Sequence, residues 1–231
     1  MWFVFWANNV FPLSPNTVIS NKKSWASLLP NRHRIVFFLA TFIGLVVPTL
    51  AACLLYGKIY LDEAWLYHFH RQDFQHNFSP YFYFYHLVSG DGNRRLLSLL
   101  AFAPQLALIT YSAFYYLFKN KQKKDLFMSL FFQTVVFVTL NKVITAQYFE
   151  WYMCLFPLIL PFFHTLTLRS WIAIFAFWSL AILQWLLPAY LLEFRKWNCL
   201  HWVGGASIAF VLIHLALLAY LHVQFNQKVK K

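Results

Sequence analysis

The sequence is short of charge, of acidic groups above all, and of cysteine. Charged residues are 11% of the 231 positions, and 7 Asp and Glu stand against 19 Lys and Arg. Because a soluble domain usually carries about a quarter charged residues, an ordinary water-soluble protein is excluded. The 3 cysteines suggest no pair by their positions, which excludes a disulfide framework. The 9 histidines do not combine two-ligand helical spacing with a third carboxylate, so no metal site is predicted.

Hydrophobic runs are what the sequence has in abundance. Hydrophobic residues make up 61% of the chain, and the mean hydropathy is +0.54. A run of about twenty apolar residues crosses roughly 30 Å of hydrocarbon as a helix. The sequence therefore predicts an all-α polytopic membrane protein with about six transmembrane helices, at Ile35–Tyr56, Leu96–Phe118, Leu126–Leu140, Tyr152–Leu168, Trp171–Leu192 and Leu200–His222. Prolines inside several spans imply a packed bundle, because neighbouring groups must satisfy the freed carbonyls.

The distribution of charge predicts the orientation of these spans. With six spans both termini lie on one side, and that side holds twelve of the 19 Lys and Arg residues. The positive-inside rule makes it the cytosolic side. Its basic character suits anionic lipid headgroups, and nothing in the sequence indicates nucleic acid binding. The predicted organisation is a cytosolic segment 1–34, a helical bundle 35–222 with non-cytosolic loops 57–95, 141–151 and 193–199, and a basic cytosolic tail 223–231.

The stretch NKVITAQYFEWY, residues 141–152, is unusually polar for a segment between two hydrophobic runs. If it is helical, Asn141, Thr145, Tyr148 and Tyr152 share one stripe, since they follow the spacing of a helix face. A polar stripe at the end of a membrane helix is costly against lipid. The stretch is therefore predicted to face protein or a wet cavity.

Three segments resemble one enzyme family: HNFSPYFY (residues 76–83), FVTLNKVITAQYFEWY (137–152) and LPAYLLEF (187–194). In order and spacing they are similar to the C-terminal half of GPI mannosyltransferase I, the PIG-M type, a multispan enzyme of the GT-C class. The similarity runs from about residue 32 to residue 220 and leaves the first thirty residues poorly matched. The resemblance implies a C-terminal portion of a GT-C-type bundle in the endoplasmic reticulum membrane, with the motif-bearing loops lumenal.

The resemblance also implies an activity and a partner. Enzymes of this family transfer mannose from dolichyl-phosphate-mannose to the glucosamine of a GPI-precursor glycolipid, and they form an α1,4 bond. An accessory membrane subunit of the PIG-X or Pbn type is the implied partner, and no cofactor is assigned beyond the lipid-linked donor. The family's D-x-D motif lies upstream of the shared region and is absent from these 231 residues. We therefore expect a fragment, a short isoform or an incomplete gene product that is inactive alone, and we leave the catalytic residues unassigned.

Within the shared segments, the chemistry of transfer predicts substrate-binding residues. The departing lipid phosphate needs positive or hydrogen-bonding groups. Lys142 is the best placed of these, at the membrane edge, and Arg71, Arg94 and Arg95 are further candidates. The other predicted substrate-binding residues are Asn77, Ser79, Asn141 and Gln147 for sugar hydroxyls, Tyr148 and Trp151 for stacking on a sugar face, and Glu193 for orienting an acceptor or Lys142.

Other interpretations of the same residues stay open. Tyr and Trp at helix ends commonly form an interfacial belt, and Lys142 can snorkel to the membrane surface. Glu193 can belong to a surface charge cluster with Arg195 and Lys196. For the whole chain, the alternatives are a transporter or lipid-handling protein and a non-catalytic membrane subunit. Polar residues collected at one rim disfavour a transporter, which usually carries charges near mid-membrane, whereas the missing D-x-D favours the subunit.

Overall fold

The structure is a computed structural model that describes residues 32–67, 77–88, 96–97, 100–118 and 123–227. Within these ranges the chain is helical and contains no strand, which confirms the predicted all-α class. The helices are α1 (Arg32–Tyr56), α2 (Lys58–Leu61), α3 (Pro80–Leu87), α4 (Phe102–Phe118), α5 (Lys123–Thr139), α6 (Phe149–Met153), α7 (Phe156–Ile159), α8 (Leu168–Glu193) and α9 (Leu200–Asn226). A π-helical turn spans Asp62–Leu66, and 3-10 turns span Ala146–Tyr148 and Leu160–Phe162.

Three of the described helices are long and apolar enough to cross a membrane. They are Ile35–Tyr56, Leu168–Glu193 and Leu200–Asn226, and they contain three of the predicted spans. The chain is thus a helical membrane protein. Helices α4 and α5 overlap two further predicted spans, and each of the two helices has 17 residues. That length gives about 26 Å, slightly less than the hydrocarbon thickness. The number of six spans stays a prediction.

The predicted span Tyr152–Leu168 is not one helix, so that prediction was wrong. The chain there runs through α6, α7 and the 3-10 turn Leu160–Phe162. Pro157 and Pro161 each lie in the first turn of a short element. Proline has no N–H to donate and its ring clashes with the carbonyl four residues earlier, so two prolines four positions apart disfavour a continuous helix here. Helices α1 and α8 each continue through a single proline.

Packing divides the chain into two units, one of residues 1–70 and 111–126 and one of residues 71–110 and 127–231. In the first, α1 exposes apolar side chains along its whole length, as a helix surrounded by lipid does. In the second, α8 and α9 form the main helix pair and α3 packs on α9. All eight predicted substrate-binding residues belong to the second unit.

The α8–α9 pair is joined by polar as well as apolar contacts. The side-chain amide of Gln184 donates to the Ala206 carbonyl at 3.0 Å, and the rings of Trp185 and Phe210 lie 5.1 Å apart. Helix α8 begins at a capped position, because the Thr167 hydroxyl accepts from the Ser170 N–H at 3.3 Å. The pair therefore presents a fixed wall to which shorter segments attach.

Helix α3 approaches α9 closely at a glycine. A Cβ atom at position 204 would lie 2.5 Å from Cγ of Tyr83, whereas a Cβ at Gly205 would meet nothing within 4 Å. The Tyr83 hydroxyl also forms a hydrogen bond with Nδ1 of His201 at 2.9 Å. The missing side chain at Gly204 thus helps to set the position of α3.

The substitution Gly204→Ala is expected to lower the free energy of unfolding by about 1–3 kcal/mol, because the new methyl group overpacks against the Tyr83 ring. Gly205→Ala is the matched control on the same helix. It is expected to be neutral or to stabilise by up to about 1 kcal/mol, because alanine is the better helix former. Thermal unfolding of the purified chain in detergent measures both effects, and equal midpoints for the two variants would contradict the close approach.

Candidate functional site

The polar stretch 141–152 is a loop followed by a 3-10 turn and α6. Thr145 is extended, with φ −126° and ψ 153°, which no helix residue adopts. The prediction of one helix with Asn141, Thr145, Tyr148 and Tyr152 on a single stripe was therefore wrong. The physical reason lies in the partners of the loop backbone, which come from a distant segment instead of from the preceding helical turn.

Asn77 supplies most of those partners. Its Nδ2 donates to the Lys142 carbonyl at 2.8 Å, and its Oδ1 accepts from the N–H groups of Ile144 at 3.2 Å and Ser79 at 3.1 Å. The side chain is only 1% exposed. One buried amide therefore holds both a donor and an acceptor of the loop backbone, a contact between residues 65 positions or more apart.

Ser79 completes the same attachment. Its hydroxyl donates to the Lys142 carbonyl at 2.7 Å, and its oxygen accepts from the Phe82 N–H at 3.3 Å, which caps α3. Pro80 at the first turn needs no such partner, because it has no N–H. We call Asn77 and Ser79 together the clamp. Both side chains are hydrogen-bonded to the protein, and their predicted contacts with sugar hydroxyls stay a prediction.

Helix α3 is also held to the residue before α4. The Tyr81 hydroxyl donates to the Ala101 carbonyl at 3.2 Å. Burial, with a smaller contribution from Tyr85, raises the pKa of Tyr81 above its usual value of 10.0. The hydroxyl therefore keeps its proton at physiological pH and remains a donor.

Trp185 of α8 is a site residue that sequence reasoning missed. Its indole N–H donates to the Phe78 carbonyl at 2.7 Å, between the two clamp residues, and the side chain is 2% exposed. Its ring packs against the ring of Phe149, the first residue of α6, with the ring centroids 5.8 Å apart. The available signal was general: a buried indole N–H usually finds a hydrogen-bond partner.

The Lys142 side chain is 7% exposed, so it does not lie free on the surface. Its Nζ lies 4.9 Å from the centroid of the Phe102 ring. A cation over an aromatic face gains about 0.5–2 kcal/mol, more as water is excluded. An ammonium group in such surroundings interacts strongly with a nearby anion, because the effective dielectric constant is lower than in water.

Aromatic rings next to this loop form an exposed platform of Phe137, Tyr148 and Trp151. The Tyr148 and Trp151 ring centroids are 4.8 Å apart, and those of Phe137 and Trp151 are 6.1 Å apart with planes at 22°. Trp151 is 49% exposed. Gln147 is exposed beside them, and its Oε1 accepts from the Thr145 hydroxyl at 3.2 Å. The platform therefore keeps accessible aromatic surface.

The remaining predicted residues are less closely tied to the clamp. Asn141 is half-buried, and its Oδ1 accepts from the Val143 N–H at a long 3.5 Å. Glu193 is half-buried at the last position of α8. Arg71, Arg94 and Arg95 lie outside the described residues. Among the residues that are described, no three His, Cys, Asp or Glu side chains are grouped so as to hold a metal ion.

A second polar cluster follows the stretch, in the wall of an apolar cavity of about 50 Å³. The Trp178 indole N–H donates to the Tyr152 hydroxyl at 2.9 Å. Nδ1 of His214 donates to the Phe210 carbonyl at 2.9 Å, which leaves Nε2 to accept from Tyr152 at 3.5 Å. These groups satisfy one another, so the cluster is complete without a ligand.

The sequence matches one known protein family along most of its length. A family model described as "Mannosyltransferase (PIG-M)" matches residues 3–222, whereas the motif-based resemblance began near residue 32. The match includes the clamp, Lys142, the ring platform and Trp185. No solved structure matches the chain significantly.

Named relatives agree with the family model. The chain is 40% identical over 167 residues to the GPI alpha-1,4-mannosyltransferase I catalytic subunit of Danio rerio, which covers 72% of this chain and 41% of that protein. It is 31% identical over 243 residues to GPI mannosyltransferase 1 of Dictyostelium discoideum, which covers 97% of this chain and 52% of the relative. The chain spans about half the length, or less, of these curated relatives. It belongs to the PIG-M mannosyltransferase family.

Proposed function

We propose that this chain takes part in adding the first mannose of a GPI anchor, in α1,4 linkage, to the glucosamine of the lipid-linked precursor. Dolichyl-phosphate-mannose is the proposed donor. The observation that carries the proposal is the family match over residues 3–222, which includes every predicted substrate-binding residue. The names of the two relatives support the same reaction, since both are GPI mannosyltransferases.

The proposed reaction is a single displacement at the mannose carbon. The β bond from that carbon to the donor phosphate oxygen breaks while the acceptor hydroxyl forms the α bond, so the configuration inverts. A carboxylate takes the proton of the acceptor hydroxyl. We assign that role to the family's D-x-D motif, which is absent from this sequence, and not to Glu150 or Glu193.

Lys142 is the proposed partner of the departing phosphate. Negative charge grows on the phosphate as the bond to mannose breaks, so a positive group placed beforehand lowers the barrier. The Lys142 residue is only 7% exposed, and an interaction with an anion is stronger where the effective dielectric constant is lower than in water. Its backbone is fixed by the clamp, so the charge does not need to be reorganised during the reaction.

The ring platform is the proposed contact for a sugar face. Trp151 is half exposed although it packs against Tyr148 and Phe137, so part of its ring system is accessible. Asn141 precedes Lys142 and Gln147 follows it, and both side chains carry amide groups that can form hydrogen bonds with sugar hydroxyls. Phosphate and sugar contacts thus come from one stretch of chain.

Location and partners are part of the same proposal. We place the protein in the endoplasmic reticulum membrane. The loop of residues 141–145, which we call the Lys142 loop, is proposed to be lumenal, and the distribution of Lys and Arg supports this orientation. An accessory membrane subunit is the proposed partner. The name of the zebrafish relative, a catalytic subunit, supports a protein that works with another chain.

A chimera tests the proposed function. The segment of the zebrafish relative that matches this chain, 41% of its length, is replaced by the matching 72% of the present sequence. Expressed in cells without GPI mannosyltransferase I, the chimera is expected to restore GPI-anchored proteins to the surface, and the zebrafish protein without that segment is not. A chimera that reaches normal protein levels but gives no surface signal would count against the proposal.

A further inference from the structure

We infer that Trp185 and the clamp are positioning residues that set the place of the Lys142 ammonium by fixing the backbone of residues 141–145. This inference rests on the proposed function and deepens it. It assigns Asn77 and Ser79 to the protein side of the site instead of to the sugar. It also adds a residue from α8 that none of the three recognisable motifs singles out.

Most of the hydrogen-bonding capacity of the clamp is already used by protein groups. Both lone pairs of Asn77 Oδ1 are occupied, by the N–H groups of Ile144 and Ser79, and Nδ2 is bonded to the Lys142 carbonyl. The Ser79 hydroxyl donates to that carbonyl and accepts from Phe82. Exposures of 1% and 0% leave no route for a sugar hydroxyl to replace these partners. The clamp therefore acts on the substrate only through the loop.

The clamp fixes Lys142 directly. The carbonyl of Lys142 accepts two hydrogen bonds, at 2.8 Å from Asn77 and 2.7 Å from Ser79, which uses both of its lone pairs. The peptide group of Lys142 cannot rotate without breaking both. The aliphatic stem is buried and Nζ lies over Phe102, so the position of the charge follows the position of this backbone.

Trp185 contacts two segments that flank the loop in space, the clamp segment and the start of α6. Through its N–H it holds the Phe78 carbonyl, inside the clamp, and through its ring it meets Phe149, at the start of α6. The ring is in turn packed against Phe210 of α9. One side chain of the α8–α9 pair thus contacts the segment that holds Lys142 and the residue that follows Tyr148.

Trp178 provides a matched control on α8. Its indole N–H donates at 2.9 Å to the Tyr152 hydroxyl, compared with 2.7 Å for Trp185 and the Phe78 carbonyl. Replacing either tryptophan by phenylalanine keeps an aromatic ring and removes one hydrogen bond. Of the two, only Trp185 is bonded to the clamp segment, and it is also the more deeply buried. A role in positioning Lys142 therefore predicts faster hydrogen exchange confined to residues 142–148 in Trp185→Phe, whereas a general loss of packing predicts faster exchange in α8 and α9 as well.

The first test measures hydrogen exchange of the full 231-residue chain in detergent. Backbone amides of residues 142–148 are expected to exchange slowly in the native chain and in Trp178→Phe. In Trp185→Phe they are expected to exchange about tenfold faster. The hydrogen bond to the Phe78 carbonyl is then absent, so local opening of the loop no longer has to break it. Unchanged exchange in Trp185→Phe, or equal acceleration in both variants, overturns the inference. This measurement does not depend on mannose transfer, so its failure is distinguishable from failure of the proposed function.

The second test measures kcat and KM of the chimera for dolichyl-phosphate-mannose. Trp185→Phe and Ser79→Ala are expected to lower kcat by about ten- to a hundredfold with little change in KM, because a displaced charge is felt most in the transition state. Ser79→Thr, which keeps the hydroxyl, is expected to restore most of the rate. Equal losses in Trp185→Phe and Trp178→Phe, or no rescue by threonine, would show a structural role only.

Discussion

Replacing Lys142 by methionine is expected to slow mannose transfer by the chimera by about ten- to a hundredfold. Methionine keeps the length and the apolar stem of the side chain and removes only the charge. A charge-assisted contact is worth about 1.5–3 kcal/mol, and each 1.4 kcal/mol is tenfold in rate. The measurement is transfer from labelled dolichyl-phosphate-mannose in microsomes, normalised to the amount of chimera.

Two control variants separate phosphate contact from other effects. Lys196→Met makes the same change at an exposed lysine and is expected to leave the rate within twofold or so, because exposed charges contribute little. Gln147→Leu removes only neutral contacts and is expected to cost less than Lys142→Met. If Lys142→Met retains near-full activity, or loses it only through loss of protein, the lysine is not part of the site.

Replacing Asn77 by alanine is expected to destabilise the second unit by about 2–5 kcal/mol. The change breaks three buried hydrogen bonds and leaves the N–H groups of Ile144 and Ser79 without their acceptor. Each buried donor that loses its partner costs about 1–3 kcal/mol. Thermal unfolding in detergent, together with the yield of monodisperse protein, measures the effect.

Asn141 is the matched amide for that experiment. It is half-buried and makes one long contact of 3.5 Å to the Val143 N–H. Asn141→Ala is expected to cost less than about 1 kcal/mol, as for a partly exposed polar group with a weak bond. Similar losses for the two asparagines would mean that the Asn77 bonds do not carry the attachment of the loop.

Long apolar runs were sufficient to predict the long helices. Ile35–Tyr56 is a candidate span in both the sequence and the structure, and α8 and α9 extend the predicted spans by a few residues. The predicted span Tyr152–Leu168 was wrong because two prolines, spaced four residues apart, outweighed its hydrophobicity. Length and apolar composition are local properties, and they decide the outcome only where no backbone constraint opposes them.

The site was harder to predict for the same reason. Helical spacing in residues 141–152 is a local pattern, whereas the conformation of the loop is set by Asn77, which lies 65 positions away from Lys142. The sequence around Trp185 did not indicate its role, because a tryptophan in an apolar span is ordinarily interpreted as a residue that only packs against its neighbours. Lys142, Tyr148 and Trp151 lie in or directly beside the loop, and their role as one substrate-binding set stays a prediction.

The central claim is that the Lys142 loop faces the lumen and binds the mannosyl phosphate of the donor. Chemical labelling of position 147 tests this claim most directly. Gln147→Cys is placed in a chain whose own cysteines, Cys53, Cys154 and Cys199, are replaced by serine. In sealed microsomes, a membrane-impermeant maleimide is expected to react only after the lumen is opened. Dolichyl-phosphate-mannose is then expected to slow the reaction, whereas dolichol is not. Labelling from the cytosolic side, or equal rates with and without the donor, would contradict the account.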